Sequence, residues 1–227
     1  MKLLIRLLGG IIRFGNNVTQ NIKRFYETQY GKAIILNAFV LVILNAIAYA
    51  TWWNDIDIML QVAATNAASG YSTSHVGFIN VLLMKLIREL MMACPAVPWY
   101  TWIIVMTSFV GLSILGFLIL DNHSGKSHVV LLFVFYLFFG YECYMFPSYI
   151  KSAYILCFSL VLMCYYLFVN MRKPFIGIVL LLIGLTYCSL LSYTGFWIGL
   201  ISGIIVVFAL MIIRREHILL LARPILI

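Results

Sequence analysis

The sequence predicts an all-α, polytopic membrane protein. It has about seven transmembrane segments and an N-terminal amphipathic helix at the membrane surface. Three observations carry this. Hydrophobic residues make up 64% of the 227 positions, and mean hydropathy is +1.06. Charged residues are only 10%, against about 25% in an ordinary soluble domain. The apolar residues fall in continuous runs near the length that crosses a bilayer as a helix, about 20 residues. In lipid, only helices and closed barrels satisfy their own backbone, and unbroken runs fit helices. The net charge of +8 is no nucleic-acid footprint. Six of the fifteen basic residues precede position 33, as membrane-flanking charge does. The expected partner is the lipid bilayer, and a nucleic acid is excluded.

Residues 1–32 form a basic juxtamembrane segment. Leu3, Leu4, Leu7, Leu8, Ile11 and Ile12 recur near helical spacing, with Arg6 and Arg13 seven apart on one face. A signal-peptide core would be unbroken and end in a small-residue cleavage site. An amphipathic surface helix among anionic headgroups fits better. The bundle then occupies 33–213. Its first span runs from Ala33 to about Trp53, uncharged and closed by Trp52 and Trp53 as interfacial anchors. A polar loop, 54–75, follows. The second segment, Val76 to Ala93, is imperfect because it carries Lys85, Arg88 and Glu89.

A PAVPWY turn at 95–100 leads to a third span, Tyr100 to Leu120. The loop 121–128 leads to a fourth, ending near Phe146. The break FPSYIKS (146–152) precedes a fifth span to Met171, stopped by Arg172-Lys173-Pro174. Phe175 to Leu191 and Phe196 to Ile213 are the last two, joined at SYTG (192–195). Residues 214–227 are a short apolar tail, too short to span.

Lys/Arg asymmetry places the N-terminus in the cytoplasm and 54–75 outside, because 33–84 hold no basic residue. Seven strict crossings would then put Arg172-Lys173 and Arg214-Arg215 outside, against the positive-inside rule. One segment between 33 and 171 is therefore expected to fall short of a full crossing. The candidates are 76–93, with three charges, and the break at 140–152, with Glu142 and Lys151.

Cys94, Cys143, Cys157, Cys164 and Cys188 lie in or beside apolar runs, form no CxxC pair and have no His at metal-ligand spacing. They read as small packing residues, not as a disulfide framework or zinc site. No GxGxxG, P-loop, HExxH or GxSxG occurs, so ATPases, zinc proteases and serine hydrolases lack support. Polar residues at membrane depth are costly and are functional candidates by default. The densest group is loop 54–75, with Asp55, Asp57, Gln61, Asn66 and His75 and no Lys or Arg. Asn54 or Asp55 suits a helix cap. On a helix, Asp55 and Asp57 would point about 200° apart. On extended backbone they would share a side. A solvated or capping role competes with a catalytic one. Lys85, Arg88 and Glu89, at i, i+3 and i+4, suit local pairing or snorkelling, and lipid-phosphate binding is the functional alternative. Glu142 and Lys151 flank a Tyr-rich kink containing Tyr144, Pro147 and Tyr149, and suit a buried ion pair or a polar cavity in the bundle.

Asn54-Asp55, Met59, SGYSTSHVGFINVLLMKLI (69–87) and then Pro95, Val97, Pro98, Trp99 and Tyr100 resemble a family of uncharacterised bacterial polytopic membrane proteins. Those proteins are similar to C-type (GT-C) glycosyltransferases. The resemblance covers about residues 50–102. Members have an Asn-Asp-Asp loop after the first span, a His-led stretch ending in Asn (here His75 to Asn80), and a Pro-x-x-x-Trp-Tyr turn. The resemblance implies an enzyme of the bacterial plasma membrane that takes a sugar from a polyprenyl-phosphate carrier in cell-envelope glycan synthesis. Asp55 matches the first acidic position and is the implied catalytic base. Ile56 occupies the second, so Asp57 stands in for it or the site is degraded. His75 matches the family's histidine and would contact the substrate phosphate or the acceptor. A divalent metal ion is a further candidate for that charge. A full enzyme of this type continues well beyond about seven spans, so a truncated or inactive copy is also expected. The alternative reading is a non-catalytic transporter, flippase or assembly subunit.

Overall fold

A computed structural model describes residues 27–47, 79–122, 126–170 and 175–213. Among these, the elements are helices joined by short turns. They are α1 (Gln29–Ile47), α2 (Val81–Ala93), α3 (Trp99–Asn122), α4 (Lys126–Gly140), a π-helical turn (Tyr141–Met145), α5 (Tyr149–Asn170), α6 (Phe175–Leu191) and α7 (Tyr193–Ile213). Five of them are long and apolar enough to cross a membrane: α1, α3, α4 with its π turn, α5 and α7. The described residues therefore form an all-helical, multi-pass bundle. Of the juxtamembrane segment expected over 1–32, residues 1–26 lie outside them, as does the tail from 214, whereas 29–32 belong to α1.

Local signals set the helix ends. Thr28 Oγ1 accepts from Gly31 N at 2.9 Å, so α1 starts four residues before Ala33, with Lys32 in its first turn. Ser192 Oγ accepts from Gly195 N at 3.1 Å, so the SYTG join shrinks to a capping residue and α7 begins at Tyr193. Pro95 and Pro98 interrupt the chain between α2 and α3, and the indole Nε1 of Trp99 donates to Cys94 O across that turn at 3.1 Å.

The second predicted segment, one of the two candidates for falling short of a crossing, has the shortest of the described α-helices. Its described helix, α2, has 13 residues, about 20 Å at 1.5 Å per residue, well short of the ~30 Å hydrocarbon core. Asn80 caps it, accepting from Leu82 N at 2.9 Å. Leu83, Met84, Ile87 and Met91 form its buried face, while Leu82, Lys85, Leu86 and Glu89 are exposed. The buried face packs on Tyr100 and Ile104 of α3, Tyr149 and Ala153 of α5, and Leu191 of α6. Asn80 N donates to Leu190 O at 3.1 Å. The helix thus lies across one end of the bundle. Its three charges are tolerable there because an end helix needs only one apolar face.

Pairings along the helices fix their directions. Gly111 of α3 meets Ile155 of α5, and Asp121 accepts from the Tyr166 hydroxyl at 2.6 Å, so α3 and α5 run parallel. Gly199 meets Tyr154 and Gly203 meets Val161, so α7 runs the same way. α6 runs opposite to α5, with Gly177 against Leu167 and Gly184 against Leu160. Tyr30 rings against Phe117, so α1 opposes α3. One end of the bundle, here the loop end, therefore gathers α2, the starts of α3, α5 and α7, and the finishes of α1, α4 and α6. The other is the basal end. α5 is central, packed on α3, α6 and α7.

Polar pins cross this apolar interior. Asn37, fully buried in mid-α1, donates through Nδ2 to Phe109 O and Ser113 Oγ of α3, each at 3.0 Å. Its Oδ1 accepts from the Tyr144 hydroxyl at 2.6 Å. Ser108 and Ser152 join α3 to α5 at 2.8 Å, and Thr107 and Tyr187 join α3 to α6 at 2.7 Å. Such bonds contribute about 0.6–2 kcal/mol each in membranes, but stranding a buried partner costs about 1–3 kcal/mol. We expect Asn37→Leu to destabilise the bundle by about 2 kcal/mol, read as a lower Tm in detergent. Adding Tyr144→Phe should recover part of the loss, since one stranded hydroxyl disappears with it. Equal Tm for wild type and Asn37→Leu would show that the hub holds nothing together.

Candidate functional site

The described part of α1 ends at Ile47 and the described chain resumes at Ile79, both at the loop end. Asp55, Asp57 and His75 belong to the segment between them and lie outside the described residues. Among the described residues, no group of three His, Cys, Asp or Glu could hold a metal ion. The described residues do not place the divalent ion that the resemblance allows, and no step is derived through it.

The cations of α2 are at this end. Lys85 is exposed on the outward face, as is Glu89. Arg88 sits on the flank, half-buried, and its Nε is buried without a hydrogen-bond partner. Neither cation pairs with Glu89. The i, i+3 and i+4 spacing brings these residues to one region of α2 but does not join them.

The Tyr-rich kink is also here. α4 does not break at Tyr141. It continues as a π turn to Met145, and Pro147 and Ser148 turn the chain into α5. A π turn carries an extra residue, so it redirects side chains at the end of a helix, a device frequent at functional sites. Tyr144 faces inward to Asn37, whereas Glu142 faces α5 and accepts from Lys151 Nζ at 2.9 Å. The ammonium also lies 6.0 Å from the Phe146 ring centroid. The expected ion pair therefore forms, but it is half-exposed: the Lys151 side chain is 24% accessible and Glu142 46%. The pair bridges the turn between α4 and α5 instead of standing inside the bundle.

Comparison with protein-family models, with curated proteins and with solved structures returns no match. The reading of this site therefore rests on its own residues and on the motifs of the sequence.

The sequence reading picked out Glu142, Lys151, Tyr144, Lys85 and Arg88, and all five lie at the loop end. It missed Asn37, whose signal was available: an amide within an apolar span, where an unsatisfied polar group is costly. It also missed an apolar cavity of about 550 Å³ between the last turns of α1 and the first turns of α3. No periodicity could have shown this, since it depends on how two distant segments diverge. All five cysteines are free. Cys143, Cys157 and Cys188 are buried as packing residues, whereas Cys94 is exposed beyond the end of α2.

Proposed function

We propose that the chain is a glycosyltransferase-like membrane protein of the bacterial plasma membrane. It transfers a sugar from a polyprenyl-phosphate carrier in cell-envelope glycan synthesis. One observation carries most weight. The residues flanking the polar segment, Ile47 and Ile79, a short cation-bearing amphipathic helix and a membrane-side cavity converge on one end of the bundle. A lipid-phosphate donor needs this combination: an apolar place for its tail, cations near its phosphate, and a carboxylate at the boundary where the sugar emerges. Asp55 takes the proton from the attacking acceptor hydroxyl. Asp57 stands in for the acidic position that Ile56 lacks. His75, Lys85 and Arg88 balance the negative charge left on the departing phosphate.

Topology supports this placement. With α2 lying at the boundary, α6 makes a sixth crossing, its 17 residues being at the short limit of about 17–25. Both termini then share the basal side. By connectivity that side takes the six basic residues before position 33, Lys126, Arg172-Lys173, Arg214-Arg215 and Arg223. Only Lys85, Arg88 and Lys151 remain at the loop end. Twelve of fifteen cations on one side is a strong positive-inside pattern, so the basal side is cytoplasmic and the loop end external. The conflict that arises with seven crossings disappears.

Cys94 provides the topology test, being the exposed cysteine of the loop end. A membrane-impermeant maleimide should label it in intact cells, and Cys94→Ser should abolish that labelling. Labelling only after permeabilisation would put the loop end in the cytoplasm and remove the external site. For activity, purified protein would be incubated with labelled polyprenyl-phosphate sugars, with and without divalent metal, and scored for binding and transfer. Transfer supports the enzyme. No binding to any carrier favours a transporter, flippase or assembly subunit, the reading to which Ile56 already gives weight.

A further inference from the structure

We infer that the cavity between α1 and α3 seats the first isoprene units of the lipid carrier, entering sideways from the bilayer. This assignment rests on the proposed use of a polyprenyl-phosphate donor and names where its tail is held. The two helices touch at mid-span, where Asn37 reaches the backbone oxygen of Phe109 at 3.0 Å. Two turns further on they have separated, leaving a wedge of about 550 Å³, within the 300–1,000 Å³ typical of ligand pockets.

Three features say what fills it. Its walls belong to spanning helices, and Val42 and Trp102 are 66% and 50% exposed. The mouth therefore opens to hydrocarbon, and the reservoir of ligand is the bilayer. The inner wall is apolar: Leu41, Val105 and the ring of Tyr144, whose hydroxyl is committed to Asn37. Among the described lining residues, the polar side chains Asn45 and Thr101 sit toward the loop end and form the rim. A single-chain amphiphile matches that polarity, with its tail down the wedge and its phosphate at the rim. Met106, also on the wall, is flexible and polarisable and can adapt to an irregular chain.

The rim also lies where it must for the reaction. Asn45 is two residues before the end of α1, from which the segment bearing Asp55 departs. A phosphate at the rim would present its sugar toward the external surface.

The test uses the full chain in phospholipid vesicles and a polyprenyl phosphate carrying a diazirine in its first isoprene units. Adducts would be mapped by mass spectrometry. The wedge assignment predicts adducts within 41–46 and 101–106 that excess unlabelled polyprenyl phosphate removes. Ala46→Trp, which fills the wedge from a wall residue exposed in the fold, should reduce them about tenfold, the scale of a lost hydrophobic contact in a pocket. An unchanged thermal transition in that variant would confirm that the fold is kept. Competed adducts on other helices would overturn the wedge but leave the carrier reading standing. Wedge adducts that bulk phospholipid removes as well as polyprenyl phosphate does would show ordinary boundary lipid and overturn the wedge. Absence of any competed adduct would overturn both.

Discussion

Replacing Gly199 with leucine is expected to detach α7 from α5 and lower the thermal transition in detergent by about 5–10 °C. The reason lies in what a Cβ atom would meet. At Gly199 it would stand 2.7 Å from Tyr154 O, 2.9 Å from Cys157 Cβ and 3.2 Å from Phe158 N. At Gly195 it would run into Ile150 O, and at Gly203 it would lie 2.9 Å from Val161 Cβ. The three glycines are four apart and lie on one face of α7, all buried. Glycine in mid-helix is unfavourable by about 0.5–1 kcal/mol relative to alanine, so repeated use on one face needs a compensating gain. Here that gain is close backbone approach, which drives helix association in lipid where no hydrophobic force separates lipid from protein. Overpacking costs about 1–3 kcal/mol where side chains can yield. Two of the three atoms nearest Gly199 are backbone and cannot. Gly199→Ala should show the same effect in smaller measure. Ile201→Leu, on the exposed face, should show none. A leucine at 199 that leaves the transition where it was would mean that α7 is seated elsewhere.

The spans were legible because lipid leaves so few options. α3, α5 and α6 fall within a few residues of the apolar runs that announced them, since a run near 20 residues without charge has only helix available to it. Where the reading slipped, a local hydrogen bond outweighed hydropathy. Thr28 extends α1 toward the N-terminus past the polar Gln29, Tyr30 and Lys32, and Ser192 restarts a helix within a residue of the last. Residues 81–93 could be doubted as a span from Lys85, Arg88 and Glu89 alone. Their destination, flat against Tyr100, Tyr149 and Leu191, could not be seen, because it needs the register of α3, α5 and α6 together.

The same limit applies to the site. Glu142 and Lys151 announce a partnership by charge, and nine residues of separation make it plausible. The π turn that aims Glu142 at α5 and Tyr144 at α1 leaves no mark on hydropathy. It is one inserted residue in a run that stays apolar on both sides. The wedge is still less visible, since it is a space rather than a residue. Its walls, Leu41 and Val105 among them, have the composition of any lipid-facing stretch. What distinguishes it is the divergence of α1 from α3 beyond the pin at Asn37.

Asp55→Asn should lower sugar transfer by about 10²–10⁴-fold, the usual contribution of a positioned general base, with carrier binding and membrane insertion unchanged. Asparagine keeps the size and the hydrogen-bonding oxygen of aspartate but cannot accept a proton at neutral pH, so the loss should appear in kcat and not in KM. A rise in KM alone would instead make Asp55 a binding group, because uniform binding leaves kcat untouched. Asp57→Asn sharpens the point. If Asp57 fills the place that Ile56 vacates, its removal should hurt less than that of Asp55, and the double variant should be little worse than Asp55→Asn, as for residues that act as a unit. A larger loss from Asp57→Asn would move the base two residues along the loop. Full transfer by Asp55→Asn would take this carboxylate out of the chemistry, and with it the reason for assigning a proton-accepting role to loop 54–75.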